Sequence, residues 1–184
     1  WYFNYISNKI MNFSPDKVQQ GKFKINDDYY PTWDQIIPWF DSIARNPNTN
    51  KRSQDTRKIF VGLKFERKNL FFPLMSYVKK QLENFNLKMD SVHVYAGLGI
   101  NSRASPPHTD GMTVFVVQVM GECNWRVFED GCDYDDIKKT MTTRSTISKR
   151  LKRGEWLYIP KGIHHAAYPD SSRLLLSFGI KEKK

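Results

Sequence analysis

The sequence predicts a mainly β chain, a barrel or sandwich of short strands, with helices gathered in its N-terminal part. Three observations carry this. After residue 90, short apolar or alternating runs recur, parted by Gly, Pro, Asp and Ser. Before residue 90, apolar residues recur at helical spacing instead. No repeat or low-complexity linker divides the 184 residues, and 40% hydrophobic content is enough for a real core in one domain. The expected division is a helical part over 1–90 packed on a barrel over 91–184.

The elements follow in order. Trp1 to Ile10 is aromatic but interrupted by polar residues, and lacks the basic start and apolar core of a signal peptide. Thr32 is an N-cap for a helix through Trp33, Ile36, Ile37, Phe40 and Ile43, with Pro38 in its first turns and Asn46-Pro47-Asn48 as its stop. Ile59 to Phe65 alternates like a short strand. Leu70, Leu74, Tyr77, Val78, Leu82 and Phe85 mark one face of a second helix, and Pro73 suits its first turn. Ser91 to Leu98 alternates, with Val92, Val94 and Ala96 on one face and His93 and Tyr95 on the other. Val114 to Met120 is an unbroken apolar run, as expected of a strand buried on both faces. Further strands are expected at Cys123 to Phe128, Trp156 to Ile159, Ile163 to Tyr168 and Arg173 to Ile180.

Composition narrows the class. No apolar run reaches the roughly 18 residues of a membrane span. Two cysteines, Cys123 and Cys132, are too few for a disulfide scaffold and lack zinc-site spacing, which points to reduced thiols and a cytoplasmic protein. A net charge of +10 favours an acidic partner such as nucleic acid, a ribosome or an acidic protein face. The densest clusters are Lys149-Arg150 with Lys152-Arg153, and Lys181 to Lys184; each reads first as a solvated face or tail.

The chemistry lies in two places. His108-Thr109-Asp110 puts an imidazole and a carboxylate on one face of a strand, where both can meet one metal ion. Alone that spacing is a weak signal. Gly154-Glu155-Trp156-Leu157-Tyr158-Ile159-Pro160-Lys161-Gly162-Ile163-His164-His165 reads as a strand, a turn at Pro160 and Gly162, and a second strand presenting histidine. A third ligand from an opposing strand completes two histidines and one carboxylate, the facial arrangement of non-haem iron(II) oxygenases, which leaves coordination positions open.

Ser105 to Ile180 resembles the JmjC/cupin-type double-stranded β-helix (jelly roll) of 2-oxoglutarate oxygenases, among them ribosomal oxygenases and asparaginyl hydroxylases. The matching pieces are His108-x-Asp110, Val114-Phe115-Val116-Val117-Gln118 running to Gly121, Trp125-Arg126-Val127, Gly154-Glu155, Leu157-Tyr158-Ile159-Pro160, Gly162-x-x-His165 and Ser177-Phe178-Gly179. The resemblance covers a little under half of the chain. It implies that His108, Asp110 and His165 hold Fe(II), because the family's ligand lies at His165 rather than His164 relative to the turn glycine. His164 then faces outward or supports the site, and His93 is an ordinary strand histidine.

The resemblance also implies 2-oxoglutarate and O2 as co-substrates. A Lys or Arg usually grips the far carboxylate from the position that Cys123 holds here, so the chain departs from the pattern. Asn124 and Arg126 should point away if Trp125 points inward. Arg173, opening the last strand, is the replacement, since prolyl-hydroxylase-like relatives anchor from a similar point and a guanidinium grips carboxylates in pairs of hydrogen bonds. Tyr95 and Ser105 are further candidates, Ser105 standing where asparaginyl hydroxylases have a threonine.

Other motifs fall away. Gly97-Leu98-Gly99 lacks a third glycine and continues into Ile100-Asn101. No nucleophile elbow is present. The acidic run Glu129 to Asp136 does not fit calcium-loop spacing. The expected function is hydroxylation of a protein side chain, ribosomal or RNA-associated, yielding succinate and CO2. RNA oxidation, a metal-dependent cupin without 2-oxoglutarate, and a binding module that keeps only the fold are the competing readings. The oligomeric state is open, a homodimer included.

Overall fold

The structure, a computed structural model, describes residues 13–45, 58–99, 102, 105–135 and 140–181. Trp1 to Ile10, Asn46-Pro47-Asn48, Ile100-Asn101, Asp136 and the tail beyond Lys181 lie outside the described residues.

In chain order the elements are β1 (Gln19–Lys22), a 3-10 turn (Asp27–Tyr29), α1 (Trp33–Ala44), β2 (Lys58–Gly62), α2 (Phe72–Asn84), β3 (Lys88–Gly97), β4 (Thr113–Met120), β5 (Cys123–Phe128), β6 (Tyr134–Asp135), β7 (Thr140–Met141), β8 (Ile147–Leu151), β9 (Glu155–Ile159), β10 (His164–Tyr168) and β11 (Arg173–Lys181). A six-stranded sheet runs β1-β9-β4-β11-β3-β2, and a three-stranded sheet runs β10-β5-β8. Every pairing is antiparallel. The two sheets share an interior packed by Val114, Leu157 and Leu175 from one and Cys123, Trp125, Val127 and Leu151 from the other. This is a jelly-roll barrel: the patterning predicts a barrel or sandwich, and the resemblance implies the jelly roll.

The other face of the larger sheet carries the main core. Val92, Val94 and Ala96 of β3, Phe115, Val117 and Val119 of β4 and Leu174, Leu176 and Phe178 of β11 pack there with Ile36 and Phe40 of α1 and Leu74, Val78 and Leu82 of α2. Both faces of β4 and β11 are thus covered, which is why β4 reads as a continuous apolar run. On β11 the alternation is functional: even-numbered residues serve the helix side, while Arg173, Leu175 and Ser177 line an interior cavity.

Local chemistry sets the element ends. The Thr32 backbone N–H donates to Gln35 Oε1 at 2.9 Å, closing the start of α1. Pro73 sits in the first turn of α2, where its missing N–H costs nothing. Two differences from expectation stand out. Residues before 90 also supply β1, an edge strand that the sequence pattern does not announce, while β2, the other edge of the larger sheet, falls where a strand is expected. The His108–Asp110 stretch is not a strand; only His108 makes a bridge, to His165. Pro106 and Pro107 precede it and have no N–H for a ladder.

Gly121 makes the turn between β4 and β5 at φ +62°. A Cβ there would run into the Ser172 carbonyl, next to Arg173. Gly121→Ala is therefore expected to cost roughly 1–3 kcal/mol. Urea unfolding with an unchanged midpoint would refute this.

Candidate active site

The bridge between His108 and His165 sets the site. His108 N–H donates to the His165 carbonyl at 3.1 Å, and His165 N–H donates back at 2.9 Å. These are main-chain bonds, so the two imidazoles are brought side by side whatever their chemistry, with ring centroids 4.7 Å apart. Asp110 follows two residues on, and its carbonyl accepts from Gly162 N–H at 3.2 Å, tying it to the turn before β10. His165 Nε2 lies 3.3 Å from Asp110 Oδ2, and His108 Nε2 lies 3.7 Å from Asp110 Oδ1. One ligand atom from each residue falls within 4.8 Å of the others; among the described residues this is the one such group.

The ring protons can be placed. His108 Nδ1 is 2.8 Å from the Pro106 carbonyl, and His165 Nδ1 is 3.0 Å from the Ile163 carbonyl. A carbonyl only accepts, so each Nδ1 carries the proton and donates. In a neutral ring each Nε2 then presents a lone pair toward an acceptor-only carboxylate. Acceptors facing acceptors call for a cation between them, and cis ligands of an ion bound at about 2.1 Å sit roughly 3 Å apart. Without a cation the alternative is protonation of the rings: burial pushes the Asp110 carboxyl up, but a hydrogen bond from protonated His165 and the positive charges of protonated His165, His108 and His93 outweigh it and hold it below the usual carboxylate range. The site is built to take a divalent metal.

Beside the triad lies a small cavity. Its lining includes the metal-site residues together with Tyr95, Ser105 and Arg173. All six residues singled out in the sequence therefore border one space. His165 is buried at 4% exposure, while His164 alternates to the other face of β10 and is only half-buried. His93 stacks on Phe60 with centroids 5.1 Å apart and faces the same side as Tyr95.

Arg173 is 2% exposed, and its Nε and Nη1 have no partner. Its Nη2 donates to the Ser102 carbonyl at 3.4 Å. Burial pushes its pKa down, against which Cys123 and Tyr95 push it up. A guanidinium stays charged in any case, so this is a buried cation with two donors to offer. Burial pushes the Cys123 thiol up to about 11, against the pull of Arg173. Cys123 should therefore resist alkylation at pH 8 in the folded chain while the more exposed Cys132 reacts. Two thiols labelling at equal rates would contradict that.

Sequence reasoning missed several lining residues: Val114, Val116, Trp125, Ala167, Leu175 and Ser177. The signal was available. Once Arg173 faces inward, the two-residue period brings Leu175 and Ser177 with it. The basic cluster is also resolved. Lys149 pairs with Glu155, Arg150 with Glu122 and Asp170, and Arg153 with Asp27. No helix among the described residues is long and apolar enough to cross a membrane.

Comparison with known proteins agrees with this geometry. The family model described as JmjC domain matches residues 68–184. The chain is 31% identical over 80 residues to ribosomal protein uL16 3-hydroxylase of Escherichia coli (strain K12), covering 41% of this chain and 21% of that protein. It is 27% identical over 122 residues to ribosomal oxygenase 2 of Bos taurus, covering 64% of this chain and 26% of that protein. The chain thus spans about a quarter or less of those relatives. The X-ray structure of E. coli ycfD superposes with a TM-score of 0.62 at 18% identity, over 92% of this chain and 51% of that one, and shares the fold. With the family model covering well over half of its length, the chain belongs to the JmjC domain family.

Proposed function

We propose that the chain is an Fe(II)- and 2-oxoglutarate-dependent oxygenase that hydroxylates a protein side chain, with a ribosomal protein as its substrate. One observation carries the reading: three converging metal ligands share a cavity with a buried, partner-starved guanidinium. Residues 91–184 supply the catalytic residues, and the described part of residues 1–90 adds α1, α2 and the two edge strands of the larger sheet. The names of the relatives, a ribosomal protein hydroxylase and a ribosomal oxygenase, support the substrate class. Lys149, Arg150 and Arg153 are each ion-paired within the chain, which favours a protein over RNA by leaving less of that cluster's charge for phosphates.

His108, Asp110 and His165 hold the metal, their protonated Nδ1 atoms fixing both rings on main-chain carbonyls. Arg173 binds the far carboxylate of the co-substrate and Tyr95 and Ser105 border it. Bound iron supplies the oxidising chemistry that moves one oxygen atom of O2 to a C–H bond, with 2-oxoglutarate leaving as succinate and CO2. Val114, Val116 and Leu175 keep water from the cavity wall.

The test is succinate release from 2-oxoglutarate with Fe(II) and O2, first without and then with ribosomal protein. Slow uncoupled release is expected alone, and faster release with a mass gain of one oxygen atom on the protein. A chain that neither releases succinate nor binds 2-oxoglutarate when metal-loaded would sink the proposal and favour a cupin that does not use 2-oxoglutarate. Hydroxylated RNA, lost at high salt, would move the substrate class instead.

A further inference from the structure

Among the described residues, three buried side-chain atoms without a partner belong to residues lining the cavity: Nε and Nη1 of Arg173 and Nε1 of Trp125. All three are N–H donors. Trp156 Nε1, also unpartnered, belongs to the helix-side core and not to this lining. Leaving buried donors unpaired is costly, so a cavity whose unmet needs are all donors is shaped for an acceptor-rich group, above all a carboxylate.

Trp125 lines the same cavity as the metal ligands and Arg173. Its ring centroid is 6.0 Å from that of His165, at the metal end. Cys123, the next inward residue on β5, lies within the electrostatic reach of Arg173, at the other end. The indole is 6% exposed, so solvent does not satisfy it. A carboxylate offers about four acceptor positions, and an arginine fork uses two of them. Iron would hold the opposite end of the co-substrate by itself, which leaves the far carboxylate as the group in need of a further donor.

We infer that the Trp125 indole N–H donates to the far carboxylate of 2-oxoglutarate and shares that group with Arg173. Trp125 is then a binding residue for the co-substrate as well as part of the barrel packing. The inference rests on the co-substrate reading above, and its test separates the two.

The experiment titrates 2-oxoglutarate, and separately oxalate, into the Mn(II)-loaded chain by calorimetry, comparing wild type with Trp125→Phe. Oxalate chelates metal but has no far carboxylate. Phenylalanine keeps the apolar ring and removes the donor. Trp125→Phe is expected to weaken 2-oxoglutarate about tenfold or more and to leave oxalate within about twofold. A variant that binds 2-oxoglutarate like wild type, or loses as much affinity for oxalate, overturns the inference alone. A wild type that binds oxalate but no 2-oxoglutarate overturns the co-substrate reading and this inference with it. A second measurement stands even if the variant does not fold. Of the five tryptophans, one indole N–H resonance of the Zn(II)-loaded wild type should move when 2-oxoglutarate is added and stay when oxalate is added. No moving indole resonance with 2-oxoglutarate bound would equally overturn it.

Discussion

His165→Ala is expected to reduce turnover to background, roughly a thousandfold or more, and to weaken metal binding by at least ~100-fold. Loss of a hydrogen-bonded partner behind a metal-bound histidine already costs 10- to 100-fold, so loss of the ligand itself should cost more. The fold should survive. The bridge that joins His108 to position 165 is made by main-chain groups, which alanine keeps. The ring's hydrogen bond to the Ile163 carbonyl is lost, worth about 1 kcal/mol, together with its contacts to Asp110, His108 and Trp125. His164→Ala is the matched control, since that ring lies on the opposite face of β10 and should leave metal binding and turnover within about twofold. Metal titration of both variants decides the matter. If His164→Ala loses metal and His165→Ala keeps it, the ligand assignment is reversed.

Arg173→Met should act on function and stability in opposite directions. The buried guanidinium has two nitrogens without a partner, and an unpaired buried charge is costly in a chain without its ligand. A methionine of similar length removes that cost, so the melting temperature without 2-oxoglutarate should rise or hold. Affinity for 2-oxoglutarate should fall by about 30-fold or more, the usual consequence of taking away one side of a buried, hydrogen-bonded charge pair. Arg173→Lys should lie between, because it keeps the charge but not the fork. Wild type should also gain stability on adding 2-oxoglutarate to the metal-loaded chain, and Arg173→Met should not. An Arg173→Met chain with unchanged 2-oxoglutarate affinity would move the anchor elsewhere in the cavity.

How much of this was legible before folding follows from what each residue must satisfy. The runs at β4, β5 and β11 announced themselves because both faces of those strands, or one face and a turn, are covered by apolar side chains. The Thr32 cap of α1 and Pro73 of α2 were readable because they are local chemistry. β1 and β8 were not. β1 is a four-residue edge strand with half its residues exposed, held by pairing with β9 rather than by its own pattern. β8 hides behind Lys149 and Arg150, whose charges are answered by Glu155, Glu122 and Asp170 from elsewhere in the chain.

The sequence by itself determined the ligand types, the spacing of His108 and Asp110, and the turn that delivers His165. Each is a matter of residue identity and short-range geometry. The tertiary structure alone decided which groups share a cavity. It bent Pro106-Pro107-His108 out of a regular strand yet kept one bridge, and it turned both Nδ1 atoms toward carbonyls. It also laid Arg173, on β11, into the same space as Trp125, on β5 of the facing sheet, leaving Nε and Nη1 of the one and Nε1 of the other without protein partners. No local pattern encodes that juxtaposition, because it arises from two sheets closing on each other.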